Sequence, residues 1–213
     1  MNQISTTCLY IVDASNKGGT VLQERELVVN VQNGDMQAFE QLFELYKYKA
    51  LRTIYSMTRD KDISEDIVQE VFVSCYTSIK DLKNPEYFKT WFYRMLTRTT
   101  WRYIEKEKRL IPVEDISRKL ECSNEKSSLE KVEQKESSEL LYQEILKLQP
   151  KLQTTIILYY YNEFSIKEIA DIMNCLEGTV KSRLYAGRQR LKKSLIKQEE
   201  FITLKEVLTI EKE

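Results

Sequence analysis

Apolar residues in this chain recur every three or four positions in one segment after another, the period of an α-helix packed on one side. The pattern starts at about Gln23, and Asn33-Gly34-Asp35 interrupts it, with Asp35 placed to cap the next helix. Phe39, Leu42, Phe43, Tyr46, Ala50, Ile54 and Tyr55 then keep helical spacing and define a core helix. Asp60-Lys61-Asp62 makes the next connection. After it Ile63, Ile67, Val71 and Cys75 form one edge of a helix whose apolar stripe Val68, Phe72 and Ile79 widen. Pro85 ends that region, and Asn84 can cap a further long helix from Glu86 to about Lys108, with Phe88, Trp91, Phe92, Met95 and Leu96 on one side.

The periodicity stops after Ile111-Pro112. Residues 112–138 are polar, acidic and serine-rich, too poor in apolar surface to fold alone, and read as a flexible linker. A second helical domain spans 139–197, opening with Leu140, Leu141, Ile145 and Leu148 in one helix. Pro150 heads the next, which carries Leu152, Ile156, Ile157, Tyr159 and Tyr160. The predicted architecture is all-α: a tail over 1–22, helical domains over 23–111 and 139–197, and a second tail over 198–213. Only 5 Gly and 3 Pro in 213 residues, against plentiful Leu, Ile, Glu, Lys and Gln, agree with it.

The end of the second domain carries a specific pattern. Ser165 can cap a helix while Glu168 closes a capping box, and Ile166, Ile169, Ala170 and Met173 make its buried stripe. Asn174 tolerates the left-handed backbone of a C-cap, so the turn after it is short. In the next helix Val180, Leu184, Gly187, Leu191 and Leu195 share one face. Lys181, Ser182, Tyr185, Arg188, Gln189 and Lys192 point away from it. Helix, tight turn and one-sided basic helix together read as a DNA-binding helix-turn-helix; a solvated amphipathic helix is the competing reading.

Net charge is silent, because 33 Lys and Arg balance 33 Asp and Glu, but the charges are segregated. Glu177 is the one acid between Glu177 and Lys197, against seven bases, whereas acids dominate 113–139. On the Glu86–Lys108 helix, Arg94, Arg98, Trp101, Arg102 and Glu105 recur at helical spacing, and Lys106, Lys108 and Arg109 extend the cationic stripe. Cations meet phosphates while rings stack on unpaired bases, which suggests contact with melted DNA. On pattern alone, Trp101 and Tyr103 as core and the arginines as a wet face is the alternative. Glu65, Asp66, Gln69 and Glu70 crowd the polar side of the 62–80 helix, where they can meet a basic protein partner or simply face water.

Several classes are disfavoured. There is no histidine, the four cysteines are far apart, and no metal, cofactor, nucleophile motif or glycine-rich phosphate loop is indicated, so no enzyme and no small-molecule substrate are expected. No apolar run approaches the roughly 20 residues that span a bilayer, so a reduced, cytoplasmic protein without direct membrane insertion is expected.

Three segments in this order resemble the extracytoplasmic-function sigma factors of bacterial RNA polymerase. DISEDIVQEVF (Asp62 to Phe72) looks like the family's polymerase-binding segment. By that resemblance Asp66, Gln69, Glu70 and Phe72 bind a coiled coil of the largest core subunit. FKTWFYRMLTRTTWRYIEKEKR (Phe88 to Arg109) is similar to the minus-ten reader, which implies roles for Arg94, Arg98, Trp101, Arg102, Lys106 and Arg109. GTVKSRLYAGRQRL (Gly178 to Leu191), preceded by FSIKEIADIMNC, looks like the minus-thirty-five reader, which implies roles for Lys181, Ser182, Arg183, Tyr185, Arg188 and Lys192. The resemblance further implies core RNA polymerase, promoter DNA and an anti-sigma factor as partners. A stand-alone helix-turn-helix regulator, binding duplex without polymerase, is the rival reading.

Overall fold

The computed structural model describes the backbone of residues 17–110 and 140–210, and side chains over 23–106 and 140–196. Those described residues contain helices and turns and no strand. The linker assigned to 112–138 lies outside them.

Helix α1 runs Lys17–Gln32, six residues longer at its start than the sequence pattern suggested. Gln32 closes it by donating to the carbonyls of Ile79 (2.9 Å) and Leu82 (2.8 Å), which ties α1 to the turn at 79–82. Asp35 caps α2 (Met36–Thr58), accepting from the Gln37 and Ala38 amides. Arg59 ends α2 in the left-handed region, and Asp60 at once caps α3 (Lys61–Ser78) through the Ile63 amide. Short 3₁₀ turns at Ile79–Asp81 and Pro85–Tyr87, the second capped by Asn84, lead into α4 (Phe88–Leu110).

α2, α3 and α4 close around an aromatic cluster. Tyr46 lies 5.4 Å from Phe88 and 5.1 Å from Phe92, and Phe72 lies 4.6 Å from Phe43 and 5.1 Å from Phe92, centroid to centroid. Tilted and edge-on pairs at these separations stabilise beyond the area they bury. Burial, and then the Glu24 carboxylate, raises the Tyr46 hydroxyl far above its ordinary range, so it stays neutral.

In the second module, α5 (140–146) precedes α6 (Pro150–Ile156), which widens into a π-helical turn at Ile157–Tyr161. α7 (Ile166–Met173) opens on the expected Ser165–Glu168 capping box and stops at Asn174, φ 49°. α8 then runs Glu177–Ile210, so the stretch after Lys197, expected as a tail, continues the helix.

The two modules are present as predicted, but they are packed together. Buried residues of both, from Val28 to Leu184, form one contiguous apolar cluster.

Candidate polymerase and nucleic-acid interfaces

α3 offers a stripe to solvent in which Asp62, Asp66, Gln69, Val73 and Tyr76 are exposed at successive three- and four-residue steps. Val73 and Tyr76 were not singled out from sequence; two apolar residues off the buried face are the signal that could have found them. Glu70 is half-buried beside this stripe and pairs with Arg102 of α4. Partial burial, and then the Glu70 carboxylate, raises the hydroxyl of Tyr103. Phe72 is different. It is 5% exposed within the aromatic cluster, so it supports α3 from beneath and presents no ring outward.

On α4, Arg98, Arg102 and Lys106 are exposed, whereas Arg94 and Trp101 are half-buried. Arg94 donates from Nε (2.9 Å) and a terminal nitrogen (2.5 Å) to the Asp171 carbonyl in the last turn of α7. Trp101 donates from Nε1 to Thr154 Oγ1 of α6 at 2.9 Å. Thus the stripe read from sequence as one open face divides: Arg98, Arg102 and Lys106 face solvent, whereas Arg94 and Trp101 engage the second module. The side chain of Arg109 lies outside the described residues.

The helix-turn-helix has the expected geometry. Val180 and Leu184 are buried, and Gly187 faces α6, where a β-carbon would lie 3.0 Å from Ile156 Cδ1 and Cγ1. That close approach accounts for glycine inside this helix. Lys181, Ser182, Tyr185, Arg188 and Lys192 are exposed on the opposite side. The Ser182 hydroxyl donates back to the Thr179 carbonyl at 2.9 Å. Arg188 lies over the rings of Tyr159 (5.7 Å) and Tyr160 (5.5 Å), which fixes its guanidinium beside the basic face. Arg183 folds back onto the turn, a terminal nitrogen 3.6 Å from Cys175 Sγ, and is half-buried there.

Contacts between the modules form a seam that sequence reasoning missed. Gln153 donates to the Met57 carbonyl at 3.1 Å, and Asn162 donates to Thr53 Oγ1 at 2.8 Å and, more weakly, to the Tyr93 hydroxyl at 3.4 Å. Phe164 packs edge-on against Tyr93 at 4.8 Å, with Lys89 Nζ over its ring at 4.5 Å. The available signal was the polar run Gln153-Thr154-Thr155 inside an apolar helix; all three are buried. Along the same junction a cavity of about 390 Å³ has walls from α2 and α3 on one side and Tyr142 and Tyr161 on the other. Among the described residues no cluster of metal-ligating side chains occurs, and no helix is long and apolar enough to cross a membrane.

Residues 42–110 match the family model for Sigma-70 region 2, and residues 138–191 that for Sigma-70, region 4. The ECF RNA polymerase sigma factor SigW of Bacillus subtilis is 33% identical over 179 residues, 80% of this chain and 96% of its own length. The ECF RNA polymerase sigma-E factor of Haemophilus influenzae is 33% identical over 182 residues, 82% and 96% respectively. Among solved structures, CnrH in complex with the cytosolic domain of CnrY shares the fold with a TM-score of 0.61 at 18% identity, over 81% of this chain and 97% of that one. The sigma factor RpoE of Bartonella quintana, in complex with the anti-sigma factor NepR, gives 0.58 at 22% identity over 75% and 98%. With a region 2 and a region 4 in one chain, and relatives 33% identical matched along nearly their whole length, this chain belongs to the extracytoplasmic-function RNA polymerase sigma factors.

Proposed function

We propose that the chain is an alternative sigma factor that binds core RNA polymerase and directs promoter recognition and melting, acting by binding and not by catalysis. In this reading Asp66 and Gln69 meet the polymerase directly. Glu70 joins them by exchanging Arg102 for a cation of the partner, and Phe72 holds the helix in place. Arg98, Arg102 and Lys106, together with Arg94, Trp101 and Arg109, line the path of the minus-ten strand. Lys181, Ser182, Tyr185, Arg188 and Lys192 enter the upstream duplex, with Arg183 bracing the turn. Base edges read there give specificity, and the phosphate contacts set register. Unstacking a base costs a few kcal/mol, which the assembled polymerase complex can offset.

The observation that carries this reading is the pairing, in one chain, of an exposed acidic α3 stripe with the one-sided basic face of α8. A stand-alone regulator would need the second but not the first. The cytoplasm, where polymerase works, is the compartment the reading requires. A protein inhibitor is a further expectation, supported by the named complexes of CnrH with CnrY and of RpoE with NepR.

The test is capture of core polymerase by the purified chain, followed by run-off transcription on genomic fragments. New start sites that need both components support the proposal. Duplex binding without polymerase, and no redirected transcription, supports the stand-alone regulator instead.

A further inference from the structure

The cavity at the α2–α3 corner shares no wall residue with the sites proposed above for polymerase or promoter. Its volume, about 390 Å³, falls within the roughly 300–1,000 Å³ of small-molecule sites. Leu51 and Tyr55 of α2 form part of one side, and Tyr142 and Tyr161 of the second module form the other. Three phenol rings around one open pocket are apolar, planar platforms with polar tips, suited to receiving another planar ring.

Cations surround those rings. Arg59, which ends α2, lies over Tyr55 (5.4 Å to the centroid) and Tyr142 (4.7 Å), so its guanidinium is held between a ring of each module. Arg52 stands seven residues earlier, about 10 Å along the helix axis. It lies beside Tyr161: burial raises that hydroxyl, and the charge of Arg52 opposes the rise. Lys61 opens α3 at the rim, with its ammonium exposed and 3.9 Å from Glu65, the one acid among the described lining residues. An exposed pair of that length is weak, so a phosphate can compete for the lysine. Three cations against one carboxylate leave the mouth positive.

The floor adds a directional requirement. Ser56 and Ser64 are buried there, and their hydroxyls donate to the carbonyls of Arg52 (2.8 Å) and Asp60 (2.5 Å). With those protons committed, the two oxygens offer a ligand lone pairs, which suit the amino or ring N–H groups of a nucleobase. An apolar body in this cavity would leave the cations unmatched, and a bare anion would leave the rings unused. A planar base joined to phosphate engages both.

We infer that this cavity binds a nucleoside phosphate, with the base among Tyr55, Tyr142 and Tyr161 and the phosphate held by Arg52 and Lys61. Two of the rings come from the second module, so the site is complete only where the modules meet.

The test is calorimetric titration of the free, full-length chain with ATP and with GTP, beside adenosine, guanosine and inorganic tripolyphosphate. At least one nucleotide should bind saturably at one site, about tenfold or more tighter than its own nucleoside and than tripolyphosphate. Arg52→Gln and Lys61→Gln should each weaken the nucleotide severalfold and leave the nucleoside unchanged. Tyr142→Leu should weaken both. Should Arg52→Gln lose far-UV helical signal along with its contact to Tyr161, Lys61→Gln, whose side chain is exposed, carries the charge arm alone. Three results overturn the inference: no saturable binding of either nucleotide below about 1 mM, tripolyphosphate binding as tightly as the nucleotides, or nucleotide affinity untouched by Tyr142→Leu. Failure of run-off transcription would strike the sigma-factor reading and not this site, because binding is measured on the chain alone.

Discussion

Glu70 of α3 and Arg102 of α4 form an ion pair, so the helix proposed to grip polymerase and the helix proposed to read melted DNA are joined by charge. Both partners are substantially exposed, 37% and 61% of the side chain, and pairs of that kind contribute only about 0–1 kcal/mol to stability. The pair matters more for what each member touches next. If Glu70 transfers to a polymerase cation, Arg102 is freed beside Arg98 and Lys106.

Glu70→Lys should therefore melt within a few degrees of the parent while losing at least tenfold in affinity for core polymerase, since reversal leaves like charges facing across a contact. Thermal melting and a polymerase-binding titration check the two halves separately. Parental affinity in the variant would remove Glu70 from the interface.

Gly187 is tightly enclosed. A β-carbon at that position would sit 3.0 Å from two atoms of Ile156, and a larger side chain would push α8 away from α6. Gly187→Val should cost about 1–3 kcal/mol, the usual range for overpacking, and lower the melting temperature. Ile156→Ala in the same chain should restore part of the loss by making room. Additive losses in the double variant would show that Ile156 is not the obstacle.

Much of this fold was legible from spacing and caps. Asp35, Asp60, Asn84, Ser165 and Asn174 sit where hydrogen-bonding side chains or a left-handed residue are needed, and each is local information. The engagement of Trp101 and Arg94 with the second module was not legible, because on α4 alone a ring and a guanidinium off the apolar stripe look like an open surface. Their partners, Thr154 and Asp171, lie 53 and 77 residues away, across a linker whose composition suggested separate modules. Gly187 misled for the same reason: within its helix it reads as a loosened turn, and only α6 shows that the gap is filled. Residues 198–210 carry no motif and so read as a tail, although QEEFITLKEVL is rich in helix formers.

The two described cysteines should differ in reactivity. Cys75 is fully buried, and burial pushes its thiol up to about 12 from 9.0, whereas Cys175 is half-exposed with a guanidinium nitrogen of Arg183 at 3.6 Å. In a chain carrying Cys8→Ser and Cys122→Ser, a thiol reagent at pH 8 should label Cys175 promptly and Cys75 only on unfolding. Peptide mapping of the labelled protein decides it, and early label at Cys75 would contradict its placement in the α2–α4 core.

Alkaline pH should weaken the fold in a defined window. Burial pushes the Tyr93 hydroxyl up to about 12 from 10.0, so the folded state favours the neutral phenol. Its contribution is complete below pH 10, where both states are protonated, and is lost as pH rises from 10 toward 12. Cys75 acts in the same sense from pH 9 upward. The melting temperature should fall across this range, and Tyr93→Phe should lessen the slope above pH 10 without abolishing it, because Tyr46, raised further by burial, acts in the same sense. An equally steep fall in that variant would assign the effect to other groups.

Lys181 and Arg188 share the exposed side of α8, but their surroundings separate them. Lys181 stands in the first turns of the helix with its ammonium in solvent, while Arg188 is held over Tyr159 and Tyr160. Each phosphate neutralised by a protein cation releases condensed counterions, contributing close to 0.9 to the slope of log affinity against log salt. Lys181→Ala should therefore lower holoenzyme affinity for the upstream element and reduce that slope by about 1, with little dependence on the base sequence. If affinity falls while the slope is unchanged, Lys181 contacts a base edge, and the loss should then be confined to promoters carrying that base. If neither changes, the N-terminal turns of α8 do not enter the groove, and the docking of this helix must be redrawn around Tyr185 and Arg188.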